Sequence, residues 1–511
     1  MTRAMDRRVA ALFFCSAVLF YSAFSPAVFR SMGYANEEVE AGKRALSRIG
    51  LYSPVDGPPV WPRNGVATVA AHLPFLAVSH VLLGESQNAE DWLLSFEPIL
   101  FTAGILTILF IWAASLSGSS RLALILAFGA GFATILWPYA YIGLEVQQSF
   151  FLMLAAFVVL KLRWRPSLLK LVLFSLCAGL AISVKTAGTV LIPAILFLAW
   201  KFFDGEQKSS PAVLARMAAV AVITGVIYKA NSYLQMMFWN EWGGSADYLR
   251  QWLVRDPIAF YLNVVAFIGS PNKGLIVFAP LAIVALFAIP AAWKRDRDVT
   301  LFALLAFVPP LLGFSALMIW TDENWGPRYL HEAIAPLILL LGAGAPAAEL
   351  RARRAIPIFA ALLAGLVISF LGAFFSYGAL QYVASQTGQA TLERFQSDPV
   401  WNHVRFNARL LRVWLLSGEA KQTLWTPEHH HWDFSGKSAP PEPRAANLHE
   451  VMTPQAVLVR NWGTGPGEPG FGAWIFAFVS LIAAPVTLWW LVRATRRRTT
   501  AALADEPARS E

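Results

Sequence analysis

Apolar runs long enough to cross a lipid bilayer follow one another along most of this chain, and the connections between them alternate in charge. With soft boundaries the runs are about 9–29, 96–118, 121–141, 146–162, 168–184, 187–203, 214–233, 274–293, 299–319, 330–348, 355–377 and 470–492. Roughly 20 apolar residues in helix span about 30 Å of hydrocarbon, and a backbone in lipid must satisfy its hydrogen bonds within its own segment. The expected fold class is therefore an all-α polytopic membrane protein with about 12 transmembrane helices. Composition agrees: of 511 residues, 57% are hydrophobic and 14% charged, against roughly 25% charged in soluble domains. Disorder, a collagen repeat and a coiled coil are excluded. Pro193, Pro280, Pro309, Pro310 and Pro336 are expected to kink helices without ending them.

The basic residues give the orientation. Arg3, Arg7 and Arg8 precede the first run, and every second connection after it is basic. Those connections carry Arg121; Lys161, Arg163, Arg165 and Lys170; Lys201, Lys208 and Arg216; Lys294, Arg295 and Arg297; Arg351, Arg353 and Arg354; and Arg493, Arg496, Arg497 and Arg498. By the positive-inside rule this places both termini in the cytoplasm. The net charge of +9 is thus loop charge, not a nucleic-acid surface, and no nucleic-acid partner is expected. Cys15 and Cys177 lie inside apolar runs, so no disulfide framework is implied.

Residues 66–84 are apolar enough for a further span, but counting them would turn every later basic cluster outward. They are read as a helix lying on or dipping into the outer membrane surface, which suits His72, Pro74 and His80. Arg7 and Arg8 before the first run resemble a signal peptide, but the length of that run and the missing small-x-small site favour a retained helix. Three outer segments remain: about 30–95, about 234–273 and about 378–469.

Unusual polar residues gather at the outer margin in this orientation. They are Glu37, Glu38 and Glu40 after the first helix, Arg63 in PPVWPRNG, Glu145 opening the fourth span, and Lys185 ending the fifth. Lys273 lies in SPNKG, and Asp322, Glu323, Arg328 and His331 lie in TDENWGPRYLHEA. Charged groups at the membrane margin are costly unless paired, hydrated or functional. Blander readings compete: Glu40 and Lys43 form an ordinary pair, Lys185 snorkels, and Glu145 complements a helix N-terminus. His429–His431 are adjacent and converge poorly on one ion. The outer cations suit a phosphate-bearing lipid headgroup, and one or two carboxylates suit general-base activation of a hydroxyl.

Several of these stretches resemble the GT-C superfamily of integral-membrane glycosyltransferases, in its protein O-mannosyltransferase and lipid A aminoarabinose transferase branch. The resemblance covers most of 1–377, as hydropathy plus short motifs. The family's acidic motif after helix one falls on Asn36-Glu37 or Glu37-Glu38; Glu37 is the expected base and Glu38 the alternative. WPRNGVATVAAHLPF, WPYAYIGLE and GLAISVKTAG are similar to segments that would carry Arg63, Glu145 and Lys185. SPNKGLIVFAP and WGPRYLHEAIAP are similar to paired motifs that would carry Lys273 and Arg328 as lipid-phosphate contacts.

The resemblance implies a GT-C-like bundle whose catalytic region is 1–377, including the outer loop 30–95. Residues 378–469 then form an outer loop or small domain, 470–492 the final transmembrane helix, and 493–511 a cytoplasmic tail. It implies an inverting glycosyltransferase of a bacterial cytoplasmic (inner) membrane, with its site facing the periplasm. A polyprenyl-phosphate-linked sugar would be the donor and an envelope glycolipid or polysaccharide the acceptor; a protein acceptor is the alternative. Glu37, Glu38 and Glu145 are the catalytic candidates. Arg63, Lys185, Lys273, Asp322, Glu323, Arg328 and His331 are the substrate-binding candidates. A divalent cation, Mg²⁺ or Mn²⁺, is left open. A flippase or transporter of a lipid-linked sugar would display similar cations, but would need polar groups lining a route through the bundle. The spans are largely apolar away from the outer margin, which favours the enzyme.

Overall fold

The computed structural model describes residues 7–25, 36–55, 66–84, 86–141, 143–162, 168–202, 225, 253–317, 325–344, 352–375, 402–416 and 471–504. Its helices, in chain order, are α1 (Arg7–Ala23), α2 (Asn36–Arg48), α3 (Val66–Leu83), α4 (Gln87–Leu94), α5 (Phe96–Ser117), α6 (Ser120–Phe132) and α7 (Leu136–Tyr139). There follow α8 (Gly143–Ala156), α9 (Leu168–Ser183), α10 (Ile192–Phe202), α11 (Pro257–Gly269), α12 (Leu275–Phe278), α13 (Pro280–Leu286) and α14 (Ile289–Arg295). The last are α15 (Arg297–Ser315), α16 (His331–Gly344), α17 (Ala352–Phe374), α18 (His403–Leu416) and α19 (Phe471–Ala504). Among the described residues the β-type pairing is confined to an isolated Leu253–Leu317 bridge.

The helices begin and end for local reasons. Asp256 caps α11 by accepting the Ile258 amide at 3.0 Å, and Asp296 caps α15 through Val299 at 3.0 Å. Gly118 closes α5 at φ +69°, in the left-handed region that favours glycine. The expected 121–141 span is divided at Thr134, whose hydroxyl bonds back to the Ala130 carbonyl and accepts the Leu136 amide. The expected 274–293 span is three short helices. Ala279 leaves helical geometry and Pro280 restarts the chain at the first turn of α13, so Pro280 interrupts the helix, contrary to the expected kink. Pro309, Pro310 and Pro336 do sit inside α15 and α16. Residues 66–84 form the expected helix α3. The 214–233 segment lies outside the described residues, apart from residue 225. Helix α11, within the segment read as an outer loop, was not expected.

Helix α16 is the centre of the bundle. Every residue in it is buried, and it packs on α5, α6, α8, α13, α14 and α15. The outer helices expose apolar stripes at helical spacing instead. Helix α9 shows Leu168, Leu169, Val172 and Leu176; α17 shows Ile356, Phe359, Leu363 and Val367; α19 shows Val479, Ile482, Val486 and Trp489. Apolar area this extensive would be costly in water and is the face a bilayer solvates. Among the described residues, four helical stretches are long and apolar enough to cross a membrane: Ala89–Ser117, Arg297–Ser315, Ala355–Phe374 and Phe471–Arg493. The chain is a multi-pass membrane protein.

Contacts at the helix ends sort the bundle into two sides. Lys161, after α8, bonds Ser115 near the end of α5, and Lys201 near the end of α10 pairs with Asp298 at the start of α15 at 3.0 Å. These meeting points belong to the basic connections. The opposite ends of α5 and α8 carry Glu97 and Glu145, and Lys185 and Arg328 meet Glu145 there. Two of the basic connections read from sequence thus lie at the end of the bundle away from Glu97 and Glu145.

Candidate functional site

Four segments converge at the end opposite the basic connections. Glu145 stands in the first turn of α8, Lys185 follows α9, and Arg328 opens the 3₁₀ turn Arg328–Leu330 that leads into α16. Lys185 Nζ lies 3.1 Å from Glu145 Oε1 and 3.8 Å from Glu332 Oε1. Arg328 Nη1 lies 3.8 Å from Glu145 Oε1. Two carboxylates and two cations thus share a buried site, where each requires an opposite charge nearby.

Tyr329 forms the platform for both cations. Lys185 Nζ is 5.5 Å from its ring centre, and the Arg328 guanidinium is 4.8 Å from it. Arg328 also donates to the Tyr329 hydroxyl at 2.9 Å. Behind this layer, Tyr139 donates its hydroxyl to the Trp325 carbonyl at 2.9 Å and packs edge-on against His331. Trp325 meets Phe278 edge-on, with ring centres 5.3 Å apart, and Gly326 makes room for Phe278 at φ +60°.

The protonation pattern of His331 follows from its neighbour. The Ser149 hydroxyl donates to the Glu145 carbonyl at 2.8 Å. Its single proton is thereby used, so the 2.6 Å contact with His331 Nδ1 makes that nitrogen the donor. Nε2 of the neutral ring is then an acceptor, and it is buried with no hydrogen-bond partner among the described residues. This nitrogen can accept a hydroxyl proton or a hydroxyl hydrogen bond.

A second buried network lies along α3, α5 and α8. The Glu97 carboxylate accepts from Gln147 of α8 and meets the Nδ1 of His72 on α3. Thr68 of α3 donates to the Val184 carbonyl at 3.3 Å, one residue before Lys185. Helix α2 packs on α3, so this network ties the first outer segment to the helix that carries Glu145. Glu40 pairs with Arg44 at 3.2 Å and Lys43 pairs with Glu90, which replaces the expected Glu40–Lys43 pair.

Of the residues singled out from sequence, Glu145, Lys185, Arg328 and His331 come together. Glu38 is fully buried on α2. Glu37 lies in the same helix, but its side chain is outside the described residues, as are Arg63, Asp322, Glu323 and His429–His431. Lys273 is fully buried in the turn before α12. There Asn402 donates to Asn272 at 2.8 Å and caps α18 through the Arg405 amide. That turn joins the ion cluster's neighbourhood through Phe278 and Trp325. Glu332, Tyr329, Ser149 and the His72–Glu97–Gln147 network were missed. Glu332 carried the same signal as Glu145, a carboxylate in the first turn of an apolar helix.

Among the described residues no group of three or more His, Cys, Asp or Glu side chains is arranged to hold a metal ion. Glu145 and Glu332 are already balanced by Lys185 and Arg328, so this donor set does not suit Mg²⁺ or Mn²⁺.

No family profile matches the chain, and no curated protein does. Among solved structures, it is similar to ArnT from Cupriavidus metallidurans, a crystal structure with bound undecaprenyl phosphate. The two are 14% identical, with a TM-score of 0.44 over 99% of this chain and 80% of that one. A likeness of that degree does not speak to chemistry.

Proposed function

We propose that the protein is a GT-C-like glycosyltransferase of a bacterial inner membrane. It moves a monosaccharide from a polyprenyl-phosphate donor to an envelope lipid or polysaccharide. The observation that carries this reading is the convergence of Lys185 and Arg328, held on Tyr329, at the end of the bundle opposite the basic connections. The positive-inside rule puts that end on the periplasmic face. A lipid phosphate there would meet two positioned cations, and negative charge grows on that phosphate as the sugar leaves.

In a single displacement the acceptor oxygen attacks the anomeric carbon as the sugar–phosphate bond breaks, inverting that centre. The acceptor hydroxyl gives its proton to a base, and Glu37 is assigned that role with Glu38 as the alternative. Lys185 and Arg328 hold the departing phosphate. Glu145 balances the charge of the two cations before donor binds, and His331 Nε2 accepts a hydroxyl of the sugar or acceptor. Arg63, Lys273, Asp322 and Glu323 complete the binding set.

A reconstituted transfer assay tests this, using the full chain and a panel of polyprenyl-phosphate sugars. Wild type is expected to form a glycosylated product, with transfer reduced at least about 100-fold in Glu37→Gln, the loss typical of a missing general base. Arg328→Ala is expected to impair donor use. Full transfer in both variants would sink the mechanism. Movement of intact donor across the vesicle membrane without transfer would identify a flippase instead.

A further inference from the structure

We propose that Glu145 is a built-in competitor for the phosphate site, so that donor binding exchanges one anion for another. The inference rests on the glycosyltransferase reading and adds to it a device that sets which phosphate the site retains. Glu145 Oε1 lies 3.1 Å from Lys185 Nζ and 3.8 Å from Arg328 Nη1. One carboxylate oxygen thus stands near both cations, where a phosphate oxygen would have to stand to use them together.

The cations have a support besides Glu145. Lys185 and Arg328 both rest on the Tyr329 ring, and Arg328 is fixed further by its 2.9 Å bond to the Tyr329 hydroxyl. That support does not involve the carboxylate and remains when it moves away. Glu332 is held differently. Its Oε1 is 3.8 Å from Lys185 and makes no hydrogen bond, while its chain position is locked at the start of the fully buried α16. Among the described ion pairs Glu145 is the carboxylate within 4 Å of both cations, so it is the anion a phosphate must displace to use them together.

Charge balance gives the exchange its direction. When Glu145 and Glu332 are both ionised they balance the two cations, and adding a phosphodiester without losing an anion then leaves excess buried negative charge. Replacing the Glu145 carboxylate by a phosphodiester of one charge keeps the site neutral beside Glu332. Transfer converts that diester into a polyprenyl phosphate monoester bearing up to about two charges. The product then overloads the site, and Glu145 returns to the cations as it leaves. The device favours donor over spent carrier.

Binding to the purified full chain in detergent micelles tests this, with farnesyl phosphate as the probe and neutral farnesol as the control. Glu145→Gln removes the competitor and is expected to bind farnesyl phosphate about tenfold more tightly than wild type. Farnesol binding is expected to stay unchanged. Glu145→Asp withdraws the charge by one methylene and is expected to tighten binding by less; it decides the matter if the glutamine variant does not fold. Inorganic phosphate is expected to show the same order of variants at lower affinity. A gain for farnesyl phosphate without one for inorganic phosphate overturns a phosphate-for-carboxylate exchange. Wild type that binds farnesyl phosphate, with no gain in either variant, overturns the exchange and leaves the glycosyltransferase reading standing. If neither wild type nor Glu145→Gln distinguishes farnesyl phosphate from farnesol, both readings are overturned.

Discussion

Lys185 stands between Glu145 and Glu332 and lies 3.1 Å from the nearer carboxylate. Removing its charge leaves two buried carboxylates facing each other, with Arg328 as their nearest described cation. Lys185→Met is expected to destabilise the fold by about 3–5 kcal/mol, the cost of an uncompensated buried charge. Thermal melting in detergent checks this. Lys185→Met combined with Glu145→Gln should recover part of the loss, because the second change removes the stranded charge. A double variant no more stable than the single would refute the coupling.

The packing beneath the site gives a second prediction. An added Cβ at Gly372 would clash with the ring of Trp325, whose backbone carbonyl holds Tyr139. Gly372→Ala is expected to cost about 1–3 kcal/mol through overpacking. It is also expected to lower the affinity for farnesyl phosphate by moving the segment that leads to Arg328. Gly472→Ala, with open space around its added carbon, is the control and should melt like wild type.

The site was partly visible in sequence because charge is rare in this chain. Glu145, Lys185, Arg328 and His331 stood out as polar residues at the ends of apolar runs, and that placement is what brings them together. Glu332 carried the same signal but stood beside two more conspicuous residues, Arg328 and His331. The helix breaks were hidden for another reason. Hydropathy records how apolar a segment is. It does not record Thr134 competing for backbone hydrogen bonds or Pro280 restarting a helix. Helix α11 is only 13 residues long, below the span length that made the other segments recognisable.

The Glu97 network predicts a local effect. His72 and Gln147 both use this one buried carboxylate, and they belong to different helices. Glu97→Leu would leave two buried polar groups without it, at about 1–3 kcal/mol each. Hydrogen exchange across α3 is expected to quicken more than exchange in α16. Uniform loss of protection in both helices would instead make the network a general stability element with no special hold on α3.

Sidedness provides the last prediction. Arg405 is exposed on α18, whose cap Asn402 reaches the turn before α12 at the ion-cluster end of the bundle. Lys294 is exposed near the end of α14, in the next basic connection. The positive-inside rule puts these two positions on opposite sides of the membrane. In a background carrying Cys15→Ala and Cys177→Ala, Arg405→Cys is expected to react with a membrane-impermeant maleimide on intact spheroplasts. Lys294→Cys should react only after lysis. The reverse pattern would turn the Lys185–Arg328 site toward the cytoplasm. A periplasmic acceptor could not then reach it, and the proposed reaction would fail even if both cations bind phosphate.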